Sequence, residues 1–316
     1  MVSANSILIL DIKYLSYQEI NKQKWDHCIR CAANGMIYAE SVYLDHIAVN
    51  WGALVLGDYE AVMPLVWKRK WGIGYLYQPA FFQQGGIFSA EKISSKTVKV
   101  FLEHAAEHFS FAEITLNHGN EIKAEKGLQV KMRSNFILPL GKNYSSIYKA
   151  YDSYIRQRLN RLSKFSLQYR SSGNISTAIK LYRKLYAERM PSVTSKDYKQ
   201  FETLCNRLAK DKRVIIREVY NSDGKELLAV ILLLKDEKRI YNIISCILPA
   251  GKKKLANYFL YDSLIKEFAE EKLVLDFEGS DIPGVAYFYS KFARLNEVYP
   301  FVKFNKLPLP IRLIKR

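Results

Sequence analysis

Apolar residues at helical spacing, Trp25, Ile29 and Ala32, predict a helix over Gln18–Ala33. Before it, Met1–Tyr14 holds a short apolar patch, Ile7–Leu10, without a basic leader or a cleavage site; it reads as a strand and not a signal peptide. From Ser41 to Pro64 the pattern turns strand-like, in Tyr43–Val49 and Gly52–Leu56, with Gly57-Asp58 punctuating a hairpin into Glu60–Val66. A strand from Tyr75 then runs into an aromatic, glutamine-rich loop ending at Phe88. Ser94–Phe109 reads as a helix, Glu113–Asn117 as a strand, and Phe136–Leu140 as the strand closing the first half.

The second half opens on one amphipathic helix, Tyr144–Lys164, whose apolar stripe is Ile147, Tyr151, Ile155, Leu159 and Leu162. Helices Ile175–Met190 and Ser195–Lys210 follow. Three strands come next, Val214–Tyr220, Leu227–Leu234 and Ile240–Leu248, with turn signals at Asn221–Gly224 and around Asp236. A helix over Lys252–Glu271 leads to the stretch Val274–Phe292, which reads as a short strand, a glycine-rich break and an aromatic helix. A last strand covers Glu297–Phe304. The resulting class is α/β with mixed sheets, divided near residue 140 into domains 1–140 and 141–316.

Composition is globular, with 49% hydrophobic and 25% charged residues. No apolar run approaches the roughly 20 residues of a membrane-spanning helix. Four cysteines make no disulfide framework, and the expected compartment is the cytosol. Charge changes the picture more. Residues 1–140 carry 14 Lys and Arg against 13 Asp and Glu, whereas residues 141–316 carry 34 against 18, a net of +16. A field of that sign attracts polyanions such as a nucleotide cofactor, RNA or an anionic lipid surface, without choosing among them.

Candidate chemistry follows from position. Strand alternation sends Asp276 and Glu278 to one face at a strand's end, beside a loop tightened by Gly279, Pro283 and Gly284, and such loops commonly hold the chemistry of α/β proteins. On the helix Tyr144–Lys164, Arg158 falls near the centre of the apolar stripe and Arg161 at its edge. An inward arginine must be paired or must reach an anion, so Arg158 is either an anion contact or the partner of Asp276 or Glu278. Lys252, Lys253 and Lys254 sit in the first turn of the expected helix, where the macrodipole disfavours cations by about 0.3–1 kcal/mol each; a docked anion would resolve the conflict. Gln78, Gln83 and Gln84 either bind a polar ligand or satisfy loop backbone. Cys28-x-x-Cys31 has no second pair, and His104-x-x-x-His108 has no third ligand, so neither argues for a metal.

Two stretches then carry a resemblance. Tyr151-x-x-x-x-Arg-x-Arg-Leu-x-Arg-Leu-x-Lys resembles the basic helix opening the second domain of Fem-type proteins in the GNAT acyltransferase superfamily. Asp276-Phe-Glu-Gly-Ser, followed by Gly284-Val-Ala-Tyr-Phe-Tyr-Ser-Lys-Phe, is similar to their closing strand and Phe-rich helix. The resemblance implies two tandem GNAT-like domains, the first a degenerate copy. It also implies transfer of an acyl or aminoacyl group from acyl-CoA or aminoacyl-tRNA to an amine, such as a cell-envelope precursor. Within it, Asp276, Glu278, Tyr289 and Lys291 are candidate catalytic residues, and Gly251, Lys252, Lys253, Lys254, Asn257 and Tyr258 candidate donor contacts. Arg158, Arg161 and the three glutamines are candidate substrate contacts. The chain departs from the pattern in three ways. Tyr289 follows Phe288 where the cell-wall enzymes usually have lysine, the helical-hairpin insertion associated with tRNA has no counterpart, and the CoA signature is reduced to Gly251 with three lysines. The competing function is a non-catalytic basic module binding RNA or an anionic membrane, with the tail Lys306–Arg316 contributing.

Overall fold

The structure, a computed structural model, describes residues 10–279 and 281–309. Most of the Ile7–Leu10 patch, Ser280 and the tail beyond Leu309 lie outside the described residues. The chain separates into two compact units. The first runs to Met132 and resumes at Tyr299; the second is Arg133–Val298.

In chain order the first unit has β1 (Ile12–Leu15), α1 (Lys22–Cys31), α2 (Ser41–Ile47), β2 (Asn50–Leu56), β3 (Ala61–Lys70), β4 (Ile73–Tyr77), β5 (Phe88–Ser89), α3 (Ser95–His108), β6 (Phe111–Thr115) and β7 (Leu128–Arg133). The segment Tyr43–Val49, expected as a strand, is mostly α2. Both periods fit so short a run, and the structure buries Tyr43, Leu44 and Ile47 at helical spacing. Asp26 decides it from α1, accepting from the Ser41 backbone N–H (2.8 Å) and hydroxyl (2.6 Å) at the start of the helix.

The second unit has β8 (Phe136–Pro139), α4 (Tyr144–Ala150), α5 (Ser153–Asn160), β9 (Gln168–Ser172), α6 (Ile175–Tyr186), α7 (Ser195–Lys210), β10 (Val214–Tyr220), β11 (Leu227–Lys235), β12 (Arg239–Ile247), α8 (Pro249–Lys253), α9 (Ala256–Glu267), β13 (Val274–Asp276), α10 (Pro283–Ser290) and β14 (Leu295–Asn296). The single helix expected over Tyr144–Lys164 is broken. Tyr151 is extended (φ −59°, ψ 151°), and Asp152 caps a new helix by accepting from the Tyr154 N–H. Tyr151 stays buried across the break, so one apolar stripe serves two helices. The helix expected over Lys252–Glu271 is also two, because Leu255 is left-handed at φ +58°.

Both sheets follow one plan. In the first, the order is β1-β2-β3-β4-β6-β15-β7, where β15 is Tyr299–Asn305; in the second it is β14-β8-β13-β12-β11-β10-β9. Each contains an antiparallel meander (β2-β3-β4 and β10-β11-β12), a helical crossover, and a strand parallel to the meander's last, β6 on β4 and β13 on β12. The next strand in each sheet comes from beyond the expected division. β8 pairs antiparallel with β13, and β15 with β6. A cut near residue 140 therefore assigns both strands to the wrong sheet: Phe136–Pro139 does not close the first unit, and β15 does not close the second.

The second core is built from the inward residues of β10–β13 with Ile147, Tyr151 and Ile155 of α4–α5, Leu260, Tyr261 and Leu264 of α9, and Tyr289 and Phe292 around α10. It positions the fork described next.

Candidate active site

β12 and β13 pair in parallel over only three residues, Arg239–Tyr241 against Val274–Asp276. β13 then stops while β12 continues to Ile247, with a bulge at Ile243 between the pairs Leu233↔Asn242 and Leu232↔Ile244. A bulge adds local twist and bends the strand that carries it. The two strands thus part at Asn242 and Phe277.

Asn242 holds the fork. Its buried side-chain Nδ2 donates to the Phe277 carbonyl (3.2 Å), the Tyr261 hydroxyl (2.7 Å) and the Tyr289 hydroxyl (2.9 Å), two hydrogens shared among three acceptors. The hydroxyls of Tyr261 and Tyr289 are 3.0 Å apart. The Asn242 Oδ1 is buried without a hydrogen-bond partner, which makes it an unsatisfied acceptor inside the fork. Burial raises Tyr261, and Tyr289 far more, above the ordinary tyrosine range, so both stay protonated at neutral pH.

Asp276 and Glu278 have different surroundings. Asp276 is fully buried. Its Oδ2 accepts from Arg239 Nη1 (3.2 Å), and its Oδ1 from Asn135 Nδ2 (2.9 Å) and the Glu278 backbone N–H (3.1 Å). Arg239 also donates to both oxygens of Glu297, at 2.7 and 2.9 Å. Burial raises the Asp276 carboxyl, while Arg239 and Asn135 pull it back down. Glu278 lies one residue past the fork in the left-handed region (φ +49°), followed by Gly279 at φ +55°. Such a conformation costs a non-glycine residue about 1–3 kcal/mol and concentrates at functional sites. Burial raises the Glu278 carboxyl well above the usual range. The expected partnership of Arg158 with Asp276 or Glu278 is replaced by Arg239–Asp276.

Arg158 instead lies over the Tyr154 ring (4.8 Å to the centroid) and donates to its hydroxyl (3.1 Å), which lies 3.3 Å from that of Tyr258. Tyr258 meets Phe288 edge-on at 5.4 Å, and Phe288 meets Tyr261 and Tyr289, so an aromatic path joins Arg158 to the fork. The lysine triplet is placed differently from expectation. Lys252 and Lys253 are exposed in the last turn of α8, where the helix dipole favours cations, and Lys254 pairs with Glu226 at 3.3 Å. The macrodipole conflict therefore does not exist. α9 begins directly afterwards without a side-chain cap, and Asn257 and Tyr258 fall in its first turn. Gly251 packs against the sheet: an added Cβ would stand 2.1 Å from the Leu228 carbonyl oxygen.

Residues 150–287 match a family model described as an acetyltransferase (GNAT) domain. Among solved structures, that of FemX is 14% identical with a TM-score of 0.64, covering 96% of this chain and 100% of its own. A tandem GNAT protein from the clavulanic acid biosynthesis pathway is 8% identical with a TM-score of 0.53, over 94% of this chain and 99% of its own. The C-terminal domain of a putative lysylphosphatidylglycerol synthetase from Agrobacterium fabrum is 12% identical with a TM-score of 0.53, over 93% and 94%. The GNAT match thus lies within residues 150–287, and the chain as a whole shares the fold of these solved structures. No curated protein matches the sequence.

Of the expected site residues, the fork brings Glu278 and Tyr289 to the parting strands. Lys291 is turned aside, its Nζ 3.1 Å from Asp152 and over the Tyr287 ring. Arg161 is exposed at the end of α5. Gln78, Gln83 and Gln84 belong to the first unit and serve its loop. Gln78 donates to the carbonyls of Phe82 and Gln83 and accepts from the Thr115 N–H (3.0 Å), and buried Gln84 accepts from the His118 N–H (3.1 Å) and donates to the Gln83 side chain. Cys28 is buried with its thiol pushed up to about 11, and His108 stacks on Tyr14. Among the described residues, no three His, Cys, Asp or Glu are grouped to hold a metal ion, and no helix is long and apolar enough to cross a membrane. Asn242 and Tyr261 were missed because each is a single polar residue among mostly apolar neighbours, and Arg239 because it closes the charged turn Asp236–Arg239. The polar interruption of Ile240–Ile247 at Asn242 was the available signal.

Proposed function

We propose that this chain transfers an acyl or aminoacyl group from an anionic donor to an amine, with the reacting carbonyl seated in the fork between β12 and β13. The observation that carries this reading is the fork itself: strands that part at a buried Asn242, two protonated tyrosine hydroxyls and a strained carboxyl, within a GNAT segment. The amine nitrogen attacks the carbonyl carbon of a thioester or ester, and Glu278 takes its proton. Collapse of the tetrahedral intermediate breaks the carbon–sulfur or carbon–oxygen bond, and Tyr289 gives its proton to the leaving group. Tyr261 and Asn242 hold Tyr289 in place. Asp276 is assigned to structure and not to proton transfer, since its two oxygens already serve three donors.

The donor's phosphates meet Lys252, Lys253 and the uncapped start of α9, and Arg158 supplies a further positive charge. Acyl-CoA and aminoacyl-tRNA both fit that charge, and we place the reaction in the cytosol, where both donors are found. The test sets thermal stabilisation by acetyl-CoA beside tRNA binding measured across salt concentrations. Stabilisation by CoA that is lost in Lys252→Glu/Lys253→Glu assigns the thioester donor. Salt-dependent tRNA binding lost in the same variant, with transfer to an amine, assigns the aminoacyl donor. RNA or anionic vesicle binding without transfer from either donor would instead establish a non-catalytic basic module.

A further inference from the structure

The β3–β4 hairpin of the first unit carries a feature that the transfer site does not use. Beyond the pairs Asn50↔Trp67 and Leu76↔Ala112 neither β2 nor β6 accompanies it, so Lys68–Tyr75 is a ribbon paired only with itself. Its closing pair, Lys70↔Ile73, leaves Trp71 and Gly72 as a two-residue turn, at φ +52° and +78°. Positive φ at both positions is the pattern that favours Asn-Gly, and a bulky side chain at the first of them is strained. Trp71 recovers none of that cost by packing, since it is 70% exposed. Strain held at an exposed tip points to something outside the chain that covers it.

The surrounding charge decides what that is. Lys68, Arg69 and Lys70 precede the tryptophan, and no Asp or Glu occurs between Glu60 and Glu91. None of the three cations makes an ion pair with a described residue. Each lies over an aromatic ring instead: Lys68 over Tyr77 (4.1 Å), Arg69 over Trp67 (6.0 Å) and Lys70 over Trp71 (4.7 Å). Because residues 1–140 carry 14 Lys and Arg against 13 Asp and Glu, the attraction this tip exerts on an anion is local. Strand alternation puts Lys68 and Lys70 on one face of the ribbon and Arg69 on the other, so charge stands on both sides of the tip. A single-stranded nucleic acid is held by a basic groove with stacking rings along it, which would gather the cations on one face. One indole at the point, with cations on both sides, matches a flat anionic layer: tryptophan settles at the membrane–water interface, and basic residues beside it meet the charge of anionic lipids. From Trp67 to Trp71 the ribbon reaches about 13 Å, at about 3.3 Å per residue. A headgroup layer is only about 5–8 Å deep.

We propose that the β3–β4 hairpin docks the chain on an anionic lipid bilayer, with the Trp71 indole in the headgroup layer and Lys68, Arg69 and Lys70 on lipid phosphates. The inference stands apart from the transferase reading, because the hairpin belongs to the first unit and binding is measured with no donor present. The full chain is mixed with vesicles of phosphatidylcholine, with and without one-third phosphatidylglycerol. Partition is measured by co-sedimentation while tryptophan emission is followed. Partition onto the anionic vesicles with a blue-shifted emission is expected, and at least tenfold less onto the neutral ones. Trp71→Asn should lower partition at least tenfold and abolish the blue shift, with a melting temperature unchanged or higher because asparagine suits the turn. Lys68→Gln/Arg69→Gln/Lys70→Gln should lower partition about a hundredfold, at about fivefold per cation. Circular dichroism checks that each variant is folded, and Trp71→Gly replaces either one that is not; a tenfold loss is expected there too. Absence of partition onto the anionic vesicles would overturn the proposal. So would full partition by a folded Trp71→Asn, Trp71→Gly or triple-glutamine variant. Loss of partition in Lys252→Glu/Lys253→Glu alone would place the lipid surface on the second unit and overturn it as well. Binding of single-stranded RNA that depends on Trp71, without partition onto vesicles, would do the same.

Discussion

Replacing Arg239 with methionine tests the assignment of Asp276 to structure. The guanidinium is buried, bonds Asp276 and Glu297 together, and has a methionine-sized stem to leave behind. Its loss strands a fully buried carboxyl and a partly buried one. Breaking a buried pair by removing one partner costs about 3–5 kcal/mol, a large share of the roughly 5–15 kcal/mol that holds a domain folded. The pH dependence is a second signature. Desolvation already raises the Asp276 carboxyl, and Arg239 is its main opposition. Without Arg239 the folded-state pKa rises further above the unfolded value. A carboxyl shifted that way contributes its stability below the unfolded pKa and loses it as pH rises through the folded one. The deficit of Arg239→Met should therefore shrink as the pH is lowered from 8 towards 5. Urea unfolding followed by circular dichroism at several pH values measures both quantities. Adding Asp276→Asn to Arg239→Met should recover part of the loss at pH 8. A deficit below about 1 kcal/mol at every pH, or one that grows on acidification, would refute the reasoning. So would an Asp276→Asn variant that keeps full stability but no transfer, since that outcome returns Asp276 to the chemistry.

Glu278→Gln and Tyr289→Phe should each lower transfer by about 10²–10⁴-fold, the usual worth of a general base or acid, without lowering the melting temperature by more than a few degrees. Because the base must be ionised and burial raises its pKa, transfer should fall as pH drops through that raised value, and this limb should vanish in Glu278→Gln. Full activity in both variants removes them from the mechanism. Gly251→Ala should destabilise the second unit by about 1–3 kcal/mol, the cost of overpacking against fixed backbone; an unchanged melting curve would show that α8 can shift off β11. A fragment 133–298 should fold, whereas 141–316 should not, since it lacks β8, whose backbone completes one side of β13; cooperative melting of the shorter piece would contradict the sheet order.

The amino-acid pattern alone determined most of the local elements. The meander β10–β12, the helix Ser195–Lys210 with its Thr194–Asp197 capping box, and the strand–break–helix of Val274–Phe292 were all legible, because period and caps are properties of neighbouring residues. The GNAT resemblance was legible too, carried by those same stretches. What the sequence left open were choices settled by residues far away. Asp26 makes α2 a helix, the Asp152 cap and Lys291 carbonyl hold the break between α4 and α5, and left-handed Leu255 turns the lysines from the start of one helix to the end of another. Strand partnership is the least local choice, and β8 and β15 each took a place in a sheet built mainly from the other side of residue 140. The site shares that origin. Asp276 and Glu278 were both visible as carboxylates, but only Arg239, 37 residues away, marks Asp276 as the member of a buried ion pair. Asn242 became the pin of the fork only when α9 and α10 brought Tyr261 and Tyr289 to it, because a lone polar residue in an apolar strand has no meaning until its partners arrive.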